Sequence, residues 1–191
     1  MIKKFVLNYL SQLQEALEAV SMDKFEVMVN LILDAYENGR LIFVMGNGGN
    51  GATASHFACD MNKGVCFDLE KRFKVLCLND NVPTMLAYSN DVSYEDIFVE
   101  QIKNFIKPDD VAIGISGSGN SENVLRAIKY AKNKGAKTIG LAGFDGGKLS
   151  GLVDVAVVAK TSDMQKIEDT HLILTHMIMQ IVYKKLHGTP E

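Results

Sequence analysis

The stretch MGNGGNGATASHFACD, residues 45–60, follows directly on the apolar run LIFV of residues 41–44. A short apolar run of this kind predicts a buried strand, and the small residues after the glycines predict a helix. A glycine-rich turn between a strand and a helix leaves backbone N–H groups pointing at whatever lies above the turn, which suits a phosphate or another anion. The stretch therefore predicts a strand, an anion-binding loop and a helix, in that order.

In the helix that follows this loop, His56 and Asp60 are four residues apart. Side chains at this spacing share one face of a helix, one turn apart. A histidine and a carboxylate so placed can bind a divalent metal, or can move a proton between adjacent carbons of a sugar. The residue types alone leave both possibilities open.

The rest of the chain alternates short apolar strands with helices. Two amphipathic helices come first, and Ser21 is predicted to cap the second. Such alternation of short, wholly apolar strands with helices predicts the α/β class, with a doubly wound, five-stranded parallel sheet flanked by helices. We expect a single domain over residues 1–191, with the helices of residues 1–39 covering the sheet or pairing with other copies. After residues 41–44, the further strands are predicted at residues 73–78, 111–115, 137–142 and 153–158, and the later helices at residues 82–88, 94–105, about 122–134 and 163–186.

A second glycine-rich loop, SGSGNS at residues 116–121, follows the predicted strand at residues 111–115. In an open parallel sheet, ligands bind at the loops that follow the carboxyl ends of the strands. Ser116, Ser118 and Ser121 offer up to three hydroxyl donors to a phosphate, although Ser121 could serve only as a helix cap. Neither glycine-rich loop matches the dinucleotide-binding or P-loop pattern, so we expect no nucleotide cofactor.

Composition limits the classes of partner. Hydrophobic residues make up 47% and charged residues 23% of the 191 residues, as in a globular protein, and the net charge of −3 gives no reason to expect nucleic acid. The three cysteines contain no C-x-x-C pair, which indicates free thiols in a reducing compartment. No apolar run is long enough to span a membrane, so we expect a cytoplasmic protein.

The final predicted helix carries two more histidines and a carboxylate. Glu168 and His171 are three residues apart and share a face, while His176 follows in an apolar stretch. A lone histidine in such a helix is usually a satisfied core residue. The pair His56 and Asp60 nevertheless makes a role for these groups in one site more plausible. His187 is predicted to lie in the tail, with no role.

Five motifs occur in order along the chain: GNGG at residues 46–49, ASHFA at 54–58, SND at 89–91, GISGSGNS at 114–121 and FDGGK at 144–148. Together they resemble the sugar isomerase (SIS) domain family, and within it the sedoheptulose 7-phosphate isomerase branch. The likeness covers nearly the whole chain, including the two leading helices and the stretch KIEDTH of residues 166–171.

The resemblance implies ketose–aldose isomerisation of a sugar phosphate in a homotetramer, whose leading and final helices pack at its centre with the active sites at subunit borders. It implies that the serine-rich loop holds the phosphate and that the first loop closes over the sugar. The residues it assigns to substrate binding are Asn47, Gly48, Gly49, Asn50, Asn90, Asp91, Ser116, Gly117, Ser118 and Ser121.

The resemblance also assigns the chemistry. Proton transfer between C1 and C2 falls to a glutamate and a histidine in this branch, at the positions of Asp60 and His176. Some members bind zinc through the same two residues and two others, which implies a possible zinc site at His56, Asp60, Glu168 and His176.

This chain departs from the family pattern at several of these positions. Asp60 stands where the family commonly has glutamate, Glu168 where it has glutamine, Asn50 where it has serine, Gly117 where it has threonine and Gln165 where it has aspartate. Aspartate is one methylene shorter than glutamate, and proton transfer needs a reach of about 3 Å, so the base could have moved from Asp60 to Glu168.

The spacing on the final helix restricts a shared site. Glu168 and His176 are eight residues apart, which is roughly 12 Å along a regular helix. If both bind one ion, either the helix is irregular or a second subunit contributes.

The leading hypothesis is an isomerase that converts D-sedoheptulose 7-phosphate to D-glycero-D-manno-heptose 7-phosphate through an enediol. Asp60 or Glu168 would be the base and His176 the acid. The alternative is a non-catalytic SIS module that binds a sugar phosphate or a protein partner, and a different SIS isomerase also remains open. Because such modules lack the acid/base pair, the presence of Asp60 and His176 favours the enzyme.

Overall fold

The computed structural model describes residues 1–188, so the last residues of the predicted domain, 189–191, lie outside the described range. Five parallel strands form one sheet in the order β2-β1-β3-β4-β5, which confirms the predicted doubly wound α/β fold. In the register of the sheet, Val44 lies between Cys77 and Ile113. The strands are β1 Leu41–Gly46, β2 Lys74–Cys77, β3 Val111–Ser116, β4 Lys137–Gly143 and β5 Val155–Ala159.

Helices cover both faces of the sheet, because strands that are apolar on both sides must be buried on both sides. One apolar layer lies between the sheet and α2, α3 and α8, and the other between the sheet and α5, α6 and α7. None of the helices in the described range is both long and apolar enough to span a membrane. The helices are α1 Ile2–Glu18, α2 Met22–Glu37, α3 Gly48–Cys59, α4 Val82–Asp91, α5 Val99–Ile102, α6 Glu122–Asn133, α7 Gly147–Leu152 and α8 Met164–His187.

Two short segments of other helix types interrupt this pattern. A π-helical segment, Asp60–Val65, continues α3, and a 3₁₀ turn, Tyr94–Asp96, precedes α5. The sequence predicts one helix over residues 94–105, which is wrong: Ile97, Phe98 and Val99 are all buried. Three consecutive residues cannot share one face of a helix, so the chain bends there.

Smaller differences from the prediction are also found. Residues 89–91, left outside the predicted helix of residues 82–88, form the last turn of α4, and no helix was predicted at α7. The first glycine-rich loop is shorter than expected, because Gly48 and Gly49 already belong to α3. His187 ends α8 instead of lying in a tail, and its Nε2 is 2.8 Å from the Val65 carbonyl oxygen.

Candidate functional site

The two glycine-rich loops lie side by side. The first follows β1 and the second follows β3, and these strands are neighbours at the point where the strand order reverses direction. In open α/β sheets a crevice opens at such a switch point, outside the carboxyl ends of the strands. The fold therefore places both predicted loops at the position where a ligand is expected.

The second loop presents its three predicted serines at the start of α6. Ser116 Oγ and Ser121 Oγ are 2.9 Å apart, and the Ser121 N–H donates to Ser116 Oγ at 3.4 Å. The hydroxyl of Ser121 is thus engaged with Ser116 although Ser121 stands at the helix cap position. Ser118 is exposed, and its Oγ accepts from the Asn120 N–H at 3.2 Å. Hydroxyls beside a helix N-terminus suit a phosphate, as the sequence predicts.

The first loop is fastened to α6 by an amide pair. Asn47 Nδ2 donates to Asn123 Oδ1 at 2.8 Å, and Asn123 Nδ2 donates to Asn47 Oδ1 at 2.9 Å. The hydroxyl of Tyr94 also donates to Asn47 Oδ1, at 2.9 Å. Sequence reasoning missed Tyr94 and Asn123. They lie 47 and 76 positions after Asn47, and no local pattern indicates contacts over such separations.

Asn50, Glu168 and His171 form a group beside the first loop. Asn50 is buried, with Nδ2 at 3.5 Å from Glu168 Oε1 and Oδ1 at 2.7 Å from His171 Nδ1. His171 is fully buried, its Nε2 lies 3.1 Å from the Ala142 carbonyl oxygen, and desolvation lowers its pKa to about 4 despite that carbonyl. The predicted pair of Glu168 and His171 is therefore joined through Asn50.

Two glycines make room for this group. A Cβ on Gly49 would lie 2.4 Å from Glu168 Oε2, so the carboxylate occupies the space that a side chain would fill. A Cβ on Gly117 would lie 2.5 Å from Met164 Sδ and 3.4 Å from Asn50 Nδ2. The glycine at position 117 thus accommodates both Met164 and the amide of Asn50.

His56, Asp60 and His176 form a second group, between α3 and α8. His56 Nε2 lies 3.3 Å from Asp60 Oδ2 and 2.9 Å from His176 Nε2, and His176 Nε2 lies 4.0 Å from Asp60 Oδ2. The π-helical segment begins at Asp60, and such segments are frequent at functional sites. The side chains of His56 and His176 are 50% and 45% exposed, so the group opens to the surface.

These three side chains fit a divalent metal ion. Each offers one ligand atom, and the three atoms lie within 4.8 Å of one another. Ligands at about 2.0–2.1 Å from a tetrahedral zinc ion are roughly 3.3 Å apart, close to the spacing here. Glu168, the fourth predicted ligand, lies nearer the start of the same regular helix and is not part of this group in the described protomer.

A cleft of about 320 Å³ runs between the two groups. Glu168 borders it beside the first loop, and His56 borders it on the side of the second group. Asp169, also in its lining, accepts a hydrogen bond from the hydroxyl of Tyr9 in α1, and this bond is the main reason that the pKa of Tyr9 rises to about 12. The lining residues are Gly49, Ala52, Thr53, His56, Glu168, Asp169 and Leu172.

Asn90 and Asp91, which the resemblance assigns to substrate binding, are both exposed at the end of α4. The amide of Asn90 donates to Asp91 Oδ1 at 2.8 Å. Their role in binding stays a prediction.

Comparison with known proteins begins with a family model. Residues 7–143 match the model of the SIS domain. Among similar sequences, the phosphoheptose isomerase of Helicobacter pylori strain Shi470 is 35% identical over 183 residues, covering 95% of this chain and 94% of that protein. The phosphoheptose isomerase of Clostridium acetobutylicum is 33% identical over 192 residues, covering 98% and 97% of the two chains.

A solved structure agrees with these sequences. The phosphoheptose isomerase GmhA from Neisseria gonorrhoeae superposes with a TM-score of 0.87 at 27% identity, covering 95% of this chain and 98% of that one. The likeness therefore extends over nearly the full length of the chain, including the helices that lead and end it.

Proposed function

The chain belongs to the SIS domain family, and from that membership we propose that it is a ketose–aldose isomerase that converts D-sedoheptulose 7-phosphate to D-glycero-D-manno-heptose 7-phosphate. The observation that carries this proposal is the cleft bordered by the carboxylate of Glu168 and the imidazole of His56. Asn50, which contacts Glu168, also lies next to Gly117 of the serine-rich loop, so a proton acceptor and a phosphate site lie close together.

The reaction requires one base and one acid. The base removes a proton from C1 of the ketose while the acid protonates the oxygen on C2, which gives an enediol. The proton is then returned to C2, and the hydroxyl on C1 loses its own proton to become the aldehyde. Atoms and charge balance, because each proton taken by the protein is given back within the cycle.

We assign Glu168 as the base. Asn50 links the Glu168 carboxylate to the serine-rich loop. Its Nδ2 lies 3.5 Å from Glu168 Oε1, and it would lie 3.4 Å from a Cβ added to Gly117 of that loop. Asp60 is ten residues further along the helical segment than Asn50, or roughly 15 Å. A sugar whose phosphate is held at the serine-rich loop of the same protomer therefore reaches Glu168 more easily than Asp60.

His176 is assigned as the acid, and the distance along α8 then requires a neighbouring subunit. Glu168 and His176 are roughly 12 Å apart along this helix, too far to serve one C1–C2 pair within a protomer. We propose that a second copy brings its own exposed histidine group to the cleft. The half-exposed side chains of His56 and His176 support this arrangement.

A homotetramer would supply that second copy. One side of α1 carries large apolar residues that are exposed in the single chain, and residues 1–39 would pack them against other copies. Light scattering on the purified protein measures the oligomeric state. The three free cysteines agree with the proposed cytoplasmic location. The exposed apolar residues of α1 are Ile2, Phe5, Val6, Leu7 and Leu10.

His56, Asp60 and His176 would hold a zinc ion. Zinc would polarise the sugar oxygens and stabilise the charge that develops on the enediol. Elemental analysis of the purified protein tests for the metal. A chelator is expected to lower both the zinc content and the melting temperature, whereas His56→Ala protein should contain less zinc and show no such shift.

Proton exchange tests the reaction itself. The protein, incubated with sedoheptulose 7-phosphate in D₂O, should incorporate deuterium at C2 and form the aldose, as followed by NMR. Glu168→Gln should abolish both, while Asp60→Asn, measured with added zinc, should retain exchange because Glu168 is the base. Loss of exchange in Asp60→Asn at wild-type zinc content would make Asp60 the base instead. A ligand-induced shift in melting temperature without exchange or aldose in the wild type would instead indicate a binding module.

A further inference from the structure

Asn50 and Glu168 lie 118 positions apart in the sequence but are in contact in the structure. Resting on the function proposed above, we propose that Asn50 and His171 are positioning residues that orient the Glu168 carboxylate through a directed chain of hydrogen bonds. The chain runs from His171 Nδ1 through the Asn50 amide to Glu168 Oε1, with distances of 2.7 and 3.5 Å.

The carboxylate sets the direction of this chain. An ionised carboxylate only accepts hydrogen bonds, so the NH₂ end of Asn50 must face Glu168. The Oδ1 end then faces His171, and it accepts a hydrogen bond only if His171 carries its proton on Nδ1. Glu168 thereby selects one of the two neutral tautomers of a histidine that it does not touch.

The competing tautomer would satisfy a different partner. His171 Nε2 lies 3.1 Å from the carbonyl oxygen of Ala142, and a proton on Nε2 would favour that contact. Asn50 would then have to turn its NH₂ towards His171 and its oxygen towards Glu168. Two oxygens would face each other without a proton, and the carboxylate would lose its donor. The proton on Nδ1 leaves Nε2 without a proton opposite the Ala142 carbonyl oxygen, but it satisfies both the shorter contact of 2.7 Å to Asn50 and the carboxylate beyond it.

Burial makes the arrangement rigid. His171 is fully buried and Asn50 is 5% exposed, so water cannot replace either partner. Gly49 leaves the space that the Glu168 carboxylate occupies. A serine at position 50 would have too short a side chain to span both His171 and Glu168.

The consequence for catalysis is that Asn50 engages Oε1 and leaves Oε2 to take the proton. A base held within a few tenths of an ångström of its productive position is far more effective than one that rotates freely. Loss of the chain should therefore lower kcat while leaving KM, which reflects phosphate binding at the other loop, nearly unchanged.

Asn50→Asp is the sharpest variant, because it keeps the size and the oxygen that faces His171 but places a carboxylate oxygen against Glu168. We expect kcat for sedoheptulose 7-phosphate to fall about 10- to 100-fold with KM within about threefold of wild type. Gln101→Met is the matched control. Gln101 is also a buried amide, but it donates to the Leu78 and Ile97 carbonyls, away from the site. The kcat of the Gln101→Met enzyme should therefore stay within about twofold of wild type.

Nitrogen-15 NMR of the wild type, with His171 assigned by comparison with His171→Leu, reads the tautomer without reference to activity. We expect a proton on Nδ1 at pH 7, and a shift towards Nε2 in Asn50→Leu, where the acceptor is gone. A wild-type proton on Nε2, or an Asn50→Asp protein with unchanged kcat, would overturn the positioning role while leaving the proposed isomerase intact. Absence of wild-type turnover would overturn the isomerase, and the catalytic part of this inference with it, whatever the tautomer.

Discussion

Two histidines five residues apart on α8 have opposite surroundings. His171 is fully buried between Asn50 and the Ala142 carbonyl, and desolvation lowers its pKa to about 4. His176 has a side chain that is 45% exposed and faces His56 and Asp60. The same residue type on one helix is thus fixed and neutral in one place and open to a ligand in the other.

The difference arises from what α8 packs against at each point. Its first half crosses the carboxyl end of β4 and the start of α3, where the sheet excludes water. Its second half passes the π-helical segment that begins at Asp60, where the Asp60 carboxylate lies 4.0 Å from His176 Nε2 and the side chains remain open to solvent. One helix therefore carries a buried histidine and a half-exposed histidine, because the elements that it packs against change along its length.

Removing the open histidine should produce the largest effect on activity. His176→Ala is expected to lower kcat by about 10²- to 10⁴-fold, because the proposed general acid is lost. In chelator-treated protein, where no metal contributes to stability, the free energy of unfolding should change by about 0.5 kcal/mol or less, because the side chain is half exposed. Turnover by NMR and urea unfolding measure the two quantities. A large loss of stability with normal turnover would show that His176, like His171, contributes to folding and is not needed for turnover.

The buried histidine should instead dominate the response to acid. Its folded pKa of about 4 lies below the ordinary value of 6.5, so the unfolded state binds more protons between these values. The stabilisation is present above pH 6.5 and is lost as the pH falls towards 4, to a total of about 3 kcal/mol. Urea unfolding at a series of pH values measures this loss.

His171→Leu is the control for the pH series, because it removes the titrating group. Its stability should fall less steeply between pH 6.5 and 4 than that of the wild type. The carboxyls of Asp96, Asp154 and Asp163, whose pKa values are lowered by hydrogen bonds to their partners, contribute mainly below their ordinary value of 3.8. Equal slopes in the two proteins would show that another group is responsible.

At pH 7, His171→Leu should also be less stable than the wild type, by about 1–3 kcal/mol. Leucine fills much of the same space, but Asn50 Oδ1 is left buried without its hydrogen bond. Urea unfolding at fixed protomer concentration measures the difference, since an oligomer depends on concentration. A variant as stable as the wild type would mean that the buried chain of hydrogen bonds contributes nothing to folding.

The sequence predicted the sheet and its loops well, because strand and helix periods are local properties. Five apolar runs, with helices predicted between the first four, were enough to place residues 46–51 and 116–121 at the same sheet edge. The same local reasoning failed at residues 94–105, where burial on several sides bends the chain, and at His187, which packs against Val65.

Within the site, the candidate residues could be predicted from the sequence, but which of them contact one another could not. His56 and Asp60 are neighbours by helical spacing, and the structure brings His176 to them as the resemblance implies. That Glu168 reaches His171 through Asn50 could not be predicted, because the contact spans 121 residues of sequence. The hydrophobic periodicity of the final helix also does not distinguish the buried His171 from the half-exposed His176.

The smallest effect should come from an anchor of the buried half of α8. Tyr9 of α1 donates a hydrogen bond to Asp169, next to Glu168, and the Lys166 ammonium lies 4.4 Å from the centre of its ring. Tyr9→Phe keeps the ring and removes only the hydroxyl, so we expect a loss of about 1 kcal/mol or less. The free energy of unfolding of this variant, measured with urea, should therefore lie between those of the wild type and His171→Leu.

Tyr183→Phe is the matched control for that measurement. Tyr183 is exposed on the second half of α8 and stacks on His187 with ring centres 4.0 Å apart, a contact that phenylalanine preserves. Its stability should equal that of the wild type. If Tyr9→Phe cost as much as His171→Leu, the first half of α8 would be held by α1 more than by Asn50 and the sheet, and the contrast between the two histidines would then depend on the leading helices.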